Sequence, residues 1–319
     1  APNAFGQNPH NEYFSKLNES LKLEGPGRPV MIIDSDRMNY NIDLIASSVG
    51  PQKKYRVVVK SLPSLPMLSH VMERAKTNAL MVFHQPFLSE IAEKLPDSEV
   101  LLGKPLPVNA VRKFYASLKR SSFEPEKKIQ WLIDSQDRLL QYLQLSRELG
   151  VSMKFNFEID VGLRRGGYEA VEQLAISVTT IKESRSAHSI SGLMGYEPHL
   201  TGKKARLEDQ AVADVLNQYE GFKQKLMSSG LDESEMTFNG AGSHTLKIYE
   251  KDMTMNDLSA GSAVVKPTDF DTFHLLDNQP ACYIAAPILK RYDGNPYVSN
   301  PSVNMERLYY IYGGYWKAQ

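Results

Sequence analysis

Four clusters of polar residues each follow an apolar run typical of a buried strand. They contain Lys60 in YRVVVK, Arg165 in EIDVGLRRGG, Tyr196 and His199 in GLMGYEPH, and the small residues of NGAGSHT at 239–245. A lysine at the end of an apolar strand is partly desolvated, which lowers its pKa and makes the amine a nucleophile able to form a Schiff base. An arginine can hold a phenolate or a carboxylate by charge-assisted hydrogen bonds. A Tyr, a Glu and a His close together can bind a ring or relay protons.

Small residues and hydroxyls give the fourth cluster the character of an anion site, because backbone N–H groups can approach phosphate closely there. The candidates in this loop are Gly240, Gly242, Ser243, His244 and Thr245. A second run, SAGS, adds Gly261 and Ser262, which would close the same cup. His84 follows the apolar run ALMVF and would either stack on a cofactor ring or pack in the core. An amine, an arginine, a tyrosine and a phosphate cup are the groups needed to hold pyridoxal phosphate (PLP).

The elements that must position these residues alternate between β-rich runs and stretches long enough for crossover helices. The runs are Pro29–Asp34, Tyr55–Lys60, Ala79–Phe83, Glu99–Gly103, Ile129–Asp134, Ser152–Asp160, Ser189–Tyr196 and Glu235–Asn239. Most lack strict apolar–polar alternation, as parallel strands buried on both faces do. Eight such strands predict an α/β fold, a (β/α)₈ TIM barrel with the four clusters at its carboxyl end. A doubly wound open sheet is the alternative.

After about residue 255 the chain changes to β-rich segments separated by Gly, Pro and Asn turns. We therefore expect a PLP-binding barrel over 28–255 and a second, all-β domain formed by 1–27 and 256–319. The chain ends on the apolar segment YYIYGGYWKAQ, so we expect this domain to be incomplete. Tyr315 and Trp316 in that segment would line a substrate pocket or pack in the core.

Composition limits the partners. The 319 residues contain 37 basic and 37 acidic side chains, and this balance does not favour a nucleic-acid partner. No apolar run approaches the roughly 18 residues that span a bilayer, so no membrane partner is expected. Cys282 is the single cysteine, which excludes an internal disulfide and a cysteine-cluster zinc site. The composition is compatible with both a cytoplasmic and a periplasmic location.

Taken together, the motifs resemble those of the fold-type III PLP-dependent enzymes, the alanine-racemase-like barrels, and most of all the D-threonine aldolase and D-serine dehydratase group. The matching segments are PVMIIDSDRMNYNI, YRVVVKSLPS, EIDVGLRRGG, GLMGYEPHL, FNGAGSHT and LSAGSAVV. They follow the family's order across most of residues 29–265.

The resemblance implies roles for individual residues. Lys60 would carry PLP as a Schiff base and move the α-proton of the substrate. Arg165 would lie near the ring oxygen of the cofactor, and Tyr196 would face the pyridine nitrogen. The two small-residue loops would cradle the phosphate. The family also implies a small amino-acid substrate and a homodimer whose sites lie near the subunit interface.

The metal ligands of the aldolase and dehydratase group form a His-x-Cys or His-x-Asp pair in the C-terminal domain. In this chain His274 is the only histidine after residue 255, and it is followed by Leu275 and Leu276. We therefore assign no metal ligands, and expect a divalent metal only if a C-terminal segment is missing. Such a metal would act as a Lewis acid on the substrate's β-hydroxyl group.

Three functions remain open from the sequence. A lyase would cleave the Cα–Cβ bond of a D-β-hydroxy amino acid, or eliminate its β-hydroxyl, through the Schiff base at Lys60. A racemase would use Lys60 and an opposing base, for which Tyr309, Tyr310 and Tyr312 are equal candidates. A non-catalytic PLP-binding barrel is the third, and the β-rich segment argues against it because such carriers lack this domain.

Overall fold

The structure, a computed structural model, describes residues 11–118, 123–184, 187–201, 205–294 and 307–313. Contacts divide them into two compact units. One contains Ser35–Ala281, and the other contains the described residues up to Asp34 together with those from Cys282 onward.

Twelve strands and nine helices are formed by the described residues. The strands are β1 (Val30–Ile33), β2 (Lys54–Val58), β3 (Ala79–Val82), β4 (Glu99–Leu102), β5 (Ile129–Ile133), β6 (Lys154–Glu158), β7 (Ser189–Met194), β8 (Thr237–Gly240), β9 (Asp257–Ala260), β10 (Cys282–Ala285), β11 (Ile288–Asp293) and β12 (Arg307–Ile311). The helices are α1 (Glu12–Glu24), α2 (Ser35–Val49), α3 (Leu65–Ala75), α4 (Gln85–Lys94), α5 (Val108–Ser117), α6 (Pro125–Lys128), α7 (Gln136–Leu149), α8 (Val171–Glu183) and α9 (Gln210–Met227).

Strands β2 to β9 form a closed parallel barrel in chain order. Parallel pairing of β9 with β2, Lys54 against Asp257 and Val57 against Ala260, closes the ring. Every residue of β3 and β5 is buried, as expected for strands covered on both faces. The predicted TIM barrel is thus confirmed, and the open-sheet alternative is excluded.

The set of barrel strands differs from the prediction at one position. The run Pro29–Asp34 contains β1, which pairs antiparallel with β10 outside the barrel. The eighth barrel strand is β9, whose sequence DLSA falls in the part of the chain expected to form the second domain. An apolar pattern does not reveal this strand, because Asp257 and Ser259 are polar residues buried inside the barrel.

A buried ion pair explains how these polar residues are accommodated. The Arg56 guanidinium donates from Nε and Nη2 to the two carboxylate oxygens of Asp257, at 2.9 and 2.7 Å. Its Nη1 donates to the backbone oxygens of Leu80 and Glu99. Arg56 is fully buried and Asp257 is 2% exposed. Asn239 Nδ2 also donates to Asp257 Oδ1, at 2.6 Å.

The smaller unit contains two antiparallel pairs, β1–β10 and β11–β12, so the C-terminal segment is β-rich, as predicted. Helix α1 also belongs to it, and within this unit Tyr13 packs against Tyr283 at 5.9 Å between ring centroids. Tyr309, Tyr310 and Tyr312, the candidate racemase bases, are all exposed. Tyr315 and Trp316 lie outside the described residues. No helix within the described ranges is long and apolar enough to cross a membrane.

Candidate active site

A cavity at the carboxyl end of the barrel brings most of the predicted site residues together. It encloses about 600 Å³ of empty space, part of which opens to solvent. Eight of the twelve candidates line it: Lys60, Arg165, Tyr196, Gly242, Ser243, His244, Gly261 and Ser262. They come from the ends of five different strands, which meet here because parallel barrel strands all point the same way.

Lys60 lies in a short 3₁₀ turn, Val59–Ser61, directly after β2. Its ammonium group sits over the Phe83 ring, 4.3 Å from the centroid, and the side chain remains partly exposed at the mouth of the cavity. Burial lowers the pKa of Lys60, and the positive charges of Arg165 and Lys104 lower it further. The lowered pKa increases the fraction of free amine, the form that acts as a nucleophile.

Phe83, and not the adjacent His84, faces the cavity. The His84 side chain is exposed and caps helix α4, where its Nδ1 accepts a hydrogen bond from the Phe87 amide at 3.4 Å. Both residues follow β3 in the sequence, so no pattern distinguishes the cavity-facing residue from the capping one. The lining that the sequence did not single out also includes Ser61, Met81, Gly103 and Met194.

Arg165 is held in place by a carboxylate at the end of β6. Its Nη2 lies 3.0 Å from Glu158 Oε1, and Glu158 is 8% exposed. Burial raises the pKa of Glu158, while the hydrogen bond and charge of Arg165 oppose that rise. The guanidinium carbon of Arg165 also lies 5.0 Å from the centre of the Tyr196 ring. The arginine is therefore fixed by two neighbours beside the cavity.

Tyr196 and His199 follow the same strand, β7, but they are placed differently. Tyr196 lines the cavity, and burial raises the pKa of its phenol, which keeps the hydroxyl group protonated. His199 lies in the 3₁₀ turn Pro198–Leu200 and does not line the cavity. Its Nε2 lies 3.4 Å from where a Cβ at Gly162 would be. This placement does not favour the predicted catalytic role of His199.

The two small-residue loops are joined by one hydroxyl. Ser243 Oγ accepts hydrogen bonds from the amides of Gly261 at 3.3 Å and Ala263 at 3.0 Å. Among the described residues, the amides of Ser243, His244 and Ser262 have no hydrogen-bond acceptor, although all three residues line the cavity. Backbone N–H groups without a partner at the edge of a cavity fit an anion such as a phosphate group.

The loop also leaves room for a ring beside it. A Cβ added at Gly242 would lie 2.8 Å from Tyr196 Cε2, closer than side-chain carbons approach. Only glycine lets the loop and the tyrosine ring lie this close. The residues present therefore fit a phosphorylated aromatic cofactor such as PLP, with the amine of Lys60 in the same cavity.

Gly240 and Thr245, also predicted to bind the phosphate, lie behind the cavity. A Cβ at Gly240 would lie 2.2 Å from Met255 Sδ, so the glycine allows close packing at the end of β8. Thr245 is 1% exposed; its hydroxyl group donates to Glu197 Oε1 at 2.6 Å and accepts from the Gly242 amide at 3.0 Å. Both residues shape the loop without lining the cavity.

Two polar residues of the cavity floor were not among the candidates. Asn239, at the end of β8, and Ser259, in β9, both line the cavity. Asn239 Nδ2 donates to Ser259 Oγ at 2.8 Å and to the Asp257 carboxylate, so its amide orientation is set by the ion pair inside the barrel. Asn239 belongs to the motif FNGAGSHT and Ser259 to LSAGSAVV, and their place in these motifs could have indicated them as site residues.

The part of the chain that the structure describes contains no group of three or more His, Cys, Asp or Glu side chains suited to a metal ion. His274 instead forms a hydrogen bond between its Nε2 and the backbone oxygen of Ala205, at 2.7 Å.

Comparison with known proteins agrees with this geometry. The profile of a family described as the alanine racemase N-terminal domain matches residues 33–268. No curated protein sequence matches the chain.

Solved structures share the fold at low sequence identity. An alanine racemase from Clostridium difficile 630 is 16% identical, with a TM-score of 0.66 over 85% of this chain and 67% of that one. A D-threonine aldolase from Filomicrobium marinum is 16% identical, with a TM-score of 0.66 over 83% and 72%. A D-threo-3-hydroxyaspartate dehydratase from Delftia sp. HT23 is 17% identical, with a TM-score of 0.65 over 82% and 67%. The chain therefore belongs to the alanine racemase N-terminal domain family, the fold-type III group of PLP-dependent enzymes.

Proposed function

We propose that this protein is a PLP-dependent enzyme acting on an amino acid, with Lys60 as the covalent attachment point of the cofactor. One observation carries the proposal: the Lys60 amine, with its lowered pKa, lines the same cavity as loop amides that have no acceptor among the described residues. An amine nucleophile and an anion site in one cavity are the two groups that PLP requires.

The residues that would hold the cofactor are those of the cavity wall. The amides of Ser243, His244 and Ser262 would bind the phosphate group, and Arg165 and Tyr196 would contact the ring. When bound, PLP supplies an electron sink that stabilises negative charge at the α-carbon of the substrate.

The side chains of this protein would orient the cofactor ring and move the proton at the substrate α-carbon. Lys60 Nζ is poised to move a proton at the substrate α-carbon, because its lowered pKa makes the neutral amine available. The ion pair with Glu158 keeps the Arg165 guanidinium in one place. Tyr196 presents a neutral phenol, which forms hydrogen bonds without adding charge beside the ring. Phe83 covers one side of the Lys60 amine and limits its contact with water.

For the reaction, we propose a lyase that acts on a D-β-hydroxy amino acid, by Cα–Cβ cleavage or by β-elimination. The order of the six matching motifs supports this choice, as does the fold shared with a D-threonine aldolase and a D-threo-3-hydroxyaspartate dehydratase. An amino-acid racemase is the second candidate, favoured by the family profile and by the fold shared with alanine racemases. A homodimer and a cytoplasmic or periplasmic location stay predictions from the sequence.

Attachment of the cofactor is tested by adding PLP to the purified protein, reducing with borohydride and mapping the labelled peptide. We expect the label at Lys60 in the natural protein and in a Lys104→Ala control, and no label in Lys60→Ala. Lys104 is the matched control because its charge also acts on Lys60, while its side chain does not line the cavity. Equal labelling of Lys60→Ala at another lysine, or no labelling of the natural protein, would overturn the assignment.

The reaction type is then decided by the products. A lyase should release a carbonyl compound from D-threonine or from D-threo-3-hydroxyaspartate, and the assay is run with Mn²⁺ and with a chelator. A racemase should exchange the α-proton of alanine with deuterated water and form no carbonyl product. A protein that is labelled by PLP but does neither would be a non-catalytic PLP-binding barrel.

A further inference from the structure

A buried carboxyl group lies directly behind the loop that faces the cavity. Glu197 follows Tyr196 after strand β7 and is fully buried. Its Oε1 accepts a hydrogen bond from the Thr245 hydroxyl group at 2.6 Å, and Thr245 is itself 1% exposed. The contact links the segment after β7 to the segment after β8. The glutamate does not line the cavity, so its role there is indirect.

Thr245 connects Glu197 to the loop, because its hydroxyl group forms a second hydrogen bond there. Its Oγ1 accepts the amide hydrogen of Gly242 at 3.0 Å, and the amides of Thr245 and Leu246 both donate to the Gly242 oxygen. The turn is therefore closed by three hydrogen bonds around Gly242. Ser243 and His244 lie inside it, and their amides donate to none of these internal acceptors.

The backbone within the turn is strained. Ala241 has a φ of +65°, a left-handed conformation that costs free energy for any residue with a Cβ. Such a conformation persists only where neighbouring interactions fix it. Ala241 is 3% exposed and lines the cavity, and its amide is one of the groups that act on the Glu197 carboxyl. The Glu197–Thr245 contact lies on the buried side of this strained residue.

Burying the Glu197 carboxyl group costs free energy, because the group loses contact with water. Burial raises the pKa of Glu197 to about 7, and the Thr245 hydroxyl and the Ala241 amide limit the rise. Its Oε2 is buried without a hydrogen-bond partner among the described residues. The phenols of Tyr196, Tyr219 and Tyr249 are among the titratable side chains that act on it, and these three offer no positive charge. An apolar side chain would avoid this desolvation cost.

We infer that Glu197 is a positioning residue: through Thr245 it holds the 241–245 loop so that the amides of Ser243 and His244 face the cavity and bind a phosphate group. The identity of the phosphate as that of PLP rests on the proposed function. The positioning of the loop does not, because it concerns hydrogen bonds within the chain.

The first experiment measures the loop without any cofactor. Hydrogen–deuterium exchange of the cofactor-free protein should quicken in peptides covering 241–245 when Thr245→Val or Glu197→Met removes the contact. Thr245→Ser and Glu197→Gln keep a hydroxyl group and an acceptor oxygen, and they should exchange like the natural protein. Glu197→Met decides the test, because Thr245→Val also removes the acceptor of the Gly242 amide. Unchanged exchange in Glu197→Met would overturn the inference, whatever the protein binds.

The second experiment separates the phosphate from the rest of the ligand. Dissociation constants are measured for PLP and for pyridoxal, which lacks the phosphate group. Loss of one hydrogen bond that orders the loop should weaken PLP binding about tenfold and leave pyridoxal binding unchanged. The double variant Glu197→Met with Thr245→Val should bind PLP like Thr245→Val alone, because that single variant already lacks the Glu197–Thr245 contact as well as the acceptor of the Gly242 amide.

The outcomes distinguish the two proposals. If the natural protein binds neither compound, the proposed function fails, while the exchange experiment still decides the inference. If the natural protein binds PLP and the disruptive variants lose affinity for PLP and pyridoxal equally, the positioning role is refuted. Thermal unfolding of each variant confirms that it is folded. Should Thr245→Val not fold, Glu197→Met is judged against Glu197→Gln by the same two measurements.

Discussion

Replacing Asp257 by asparagine should destabilise the barrel strongly, because it leaves the buried Arg56 guanidinium without its counter-charge. Both carboxylate oxygens of Asp257 accept hydrogen bonds from Arg56, at 2.9 and 2.7 Å, and neither residue is more than 2% exposed. Removing one partner of a buried ion pair costs about 3–5 kcal/mol. Asn239 Nδ2 would also face an amide in place of a carboxylate, so we expect a loss near the upper end of that range.

The assay is urea unfolding followed by the fluorescence of Trp131, a fully buried residue of β5. The matched control is Asp43→Asn, which breaks an ion pair with Arg74 of similar geometry that is exposed to solvent. Exposed ion pairs contribute little to stability, so the control should leave the unfolding midpoint unchanged.

The reasoning is refuted if Asp257→Asn and Asp43→Asn change the midpoint to the same small extent. That result would mean that water or a rearranged neighbour compensates the charge of Arg56 in the barrel. A large loss in Asp257→Asn with full recovery in Asp257→Glu would instead support the ion pair as the cause.

Three further predictions concern the cavity and its surroundings. Gly242→Ala should weaken PLP binding about tenfold or more, because the added Cβ would lie 2.8 Å from the Tyr196 ring; a fluorescence titration measures this, and unchanged affinity would contradict the close approach. Glu158→Gln should lower PLP affinity by releasing Arg165. We expect the natural protein to lose affinity in acid, where Glu158 becomes protonated, and the variant to lack this loss; a pH series of dissociation constants checks both effects. Glu197→Gln should remove a pH dependence of stability. The folded-state pKa of about 7 lies above the ordinary value of 4.5, so the natural protein should lose about 3 kcal/mol as the pH rises from 4.5 through 7, at about 1.4 kcal/mol per pH unit. Equal pH dependence of the urea midpoints of variant and natural protein between pH 5 and 8 would contradict this.

The position of the site was predictable from the sequence because it follows from one rule. Parallel strands in a barrel bring their carboxyl ends together, so polar residues that follow apolar runs must converge. Lys60, Arg165, Tyr196 and the 242–244 loop all obey this rule and line one cavity. Seven of the eight apolar runs form barrel strands; the run Pro29–Asp34 does not, and β9 takes its place in the barrel.

The errors arise where a residue's environment depends on distant parts of the chain. Strand β9 is short and polar, and the partner of its buried Asp257 is Arg56, about 200 residues earlier in the chain. His84 and Phe83 differ by one position, which decides between capping a helix and facing the cavity. Thr245 stands in the motif of the anion loop, yet its hydroxyl group is turned to a buried glutamate.

Because β2 pairs with β9 to close the barrel, the site is complete only once this pairing has formed. Lys60 follows β2, while Gly261 and Ser262 follow β9, so the two halves of the cavity lie on either side of the seam at which the barrel closes. These strands are about 200 residues apart, and pairings of such long range are slow to form. A ligand that contacts both sides can bind only after closure. It therefore stabilises the closed barrel by mass action, and a chain with an open seam would release it.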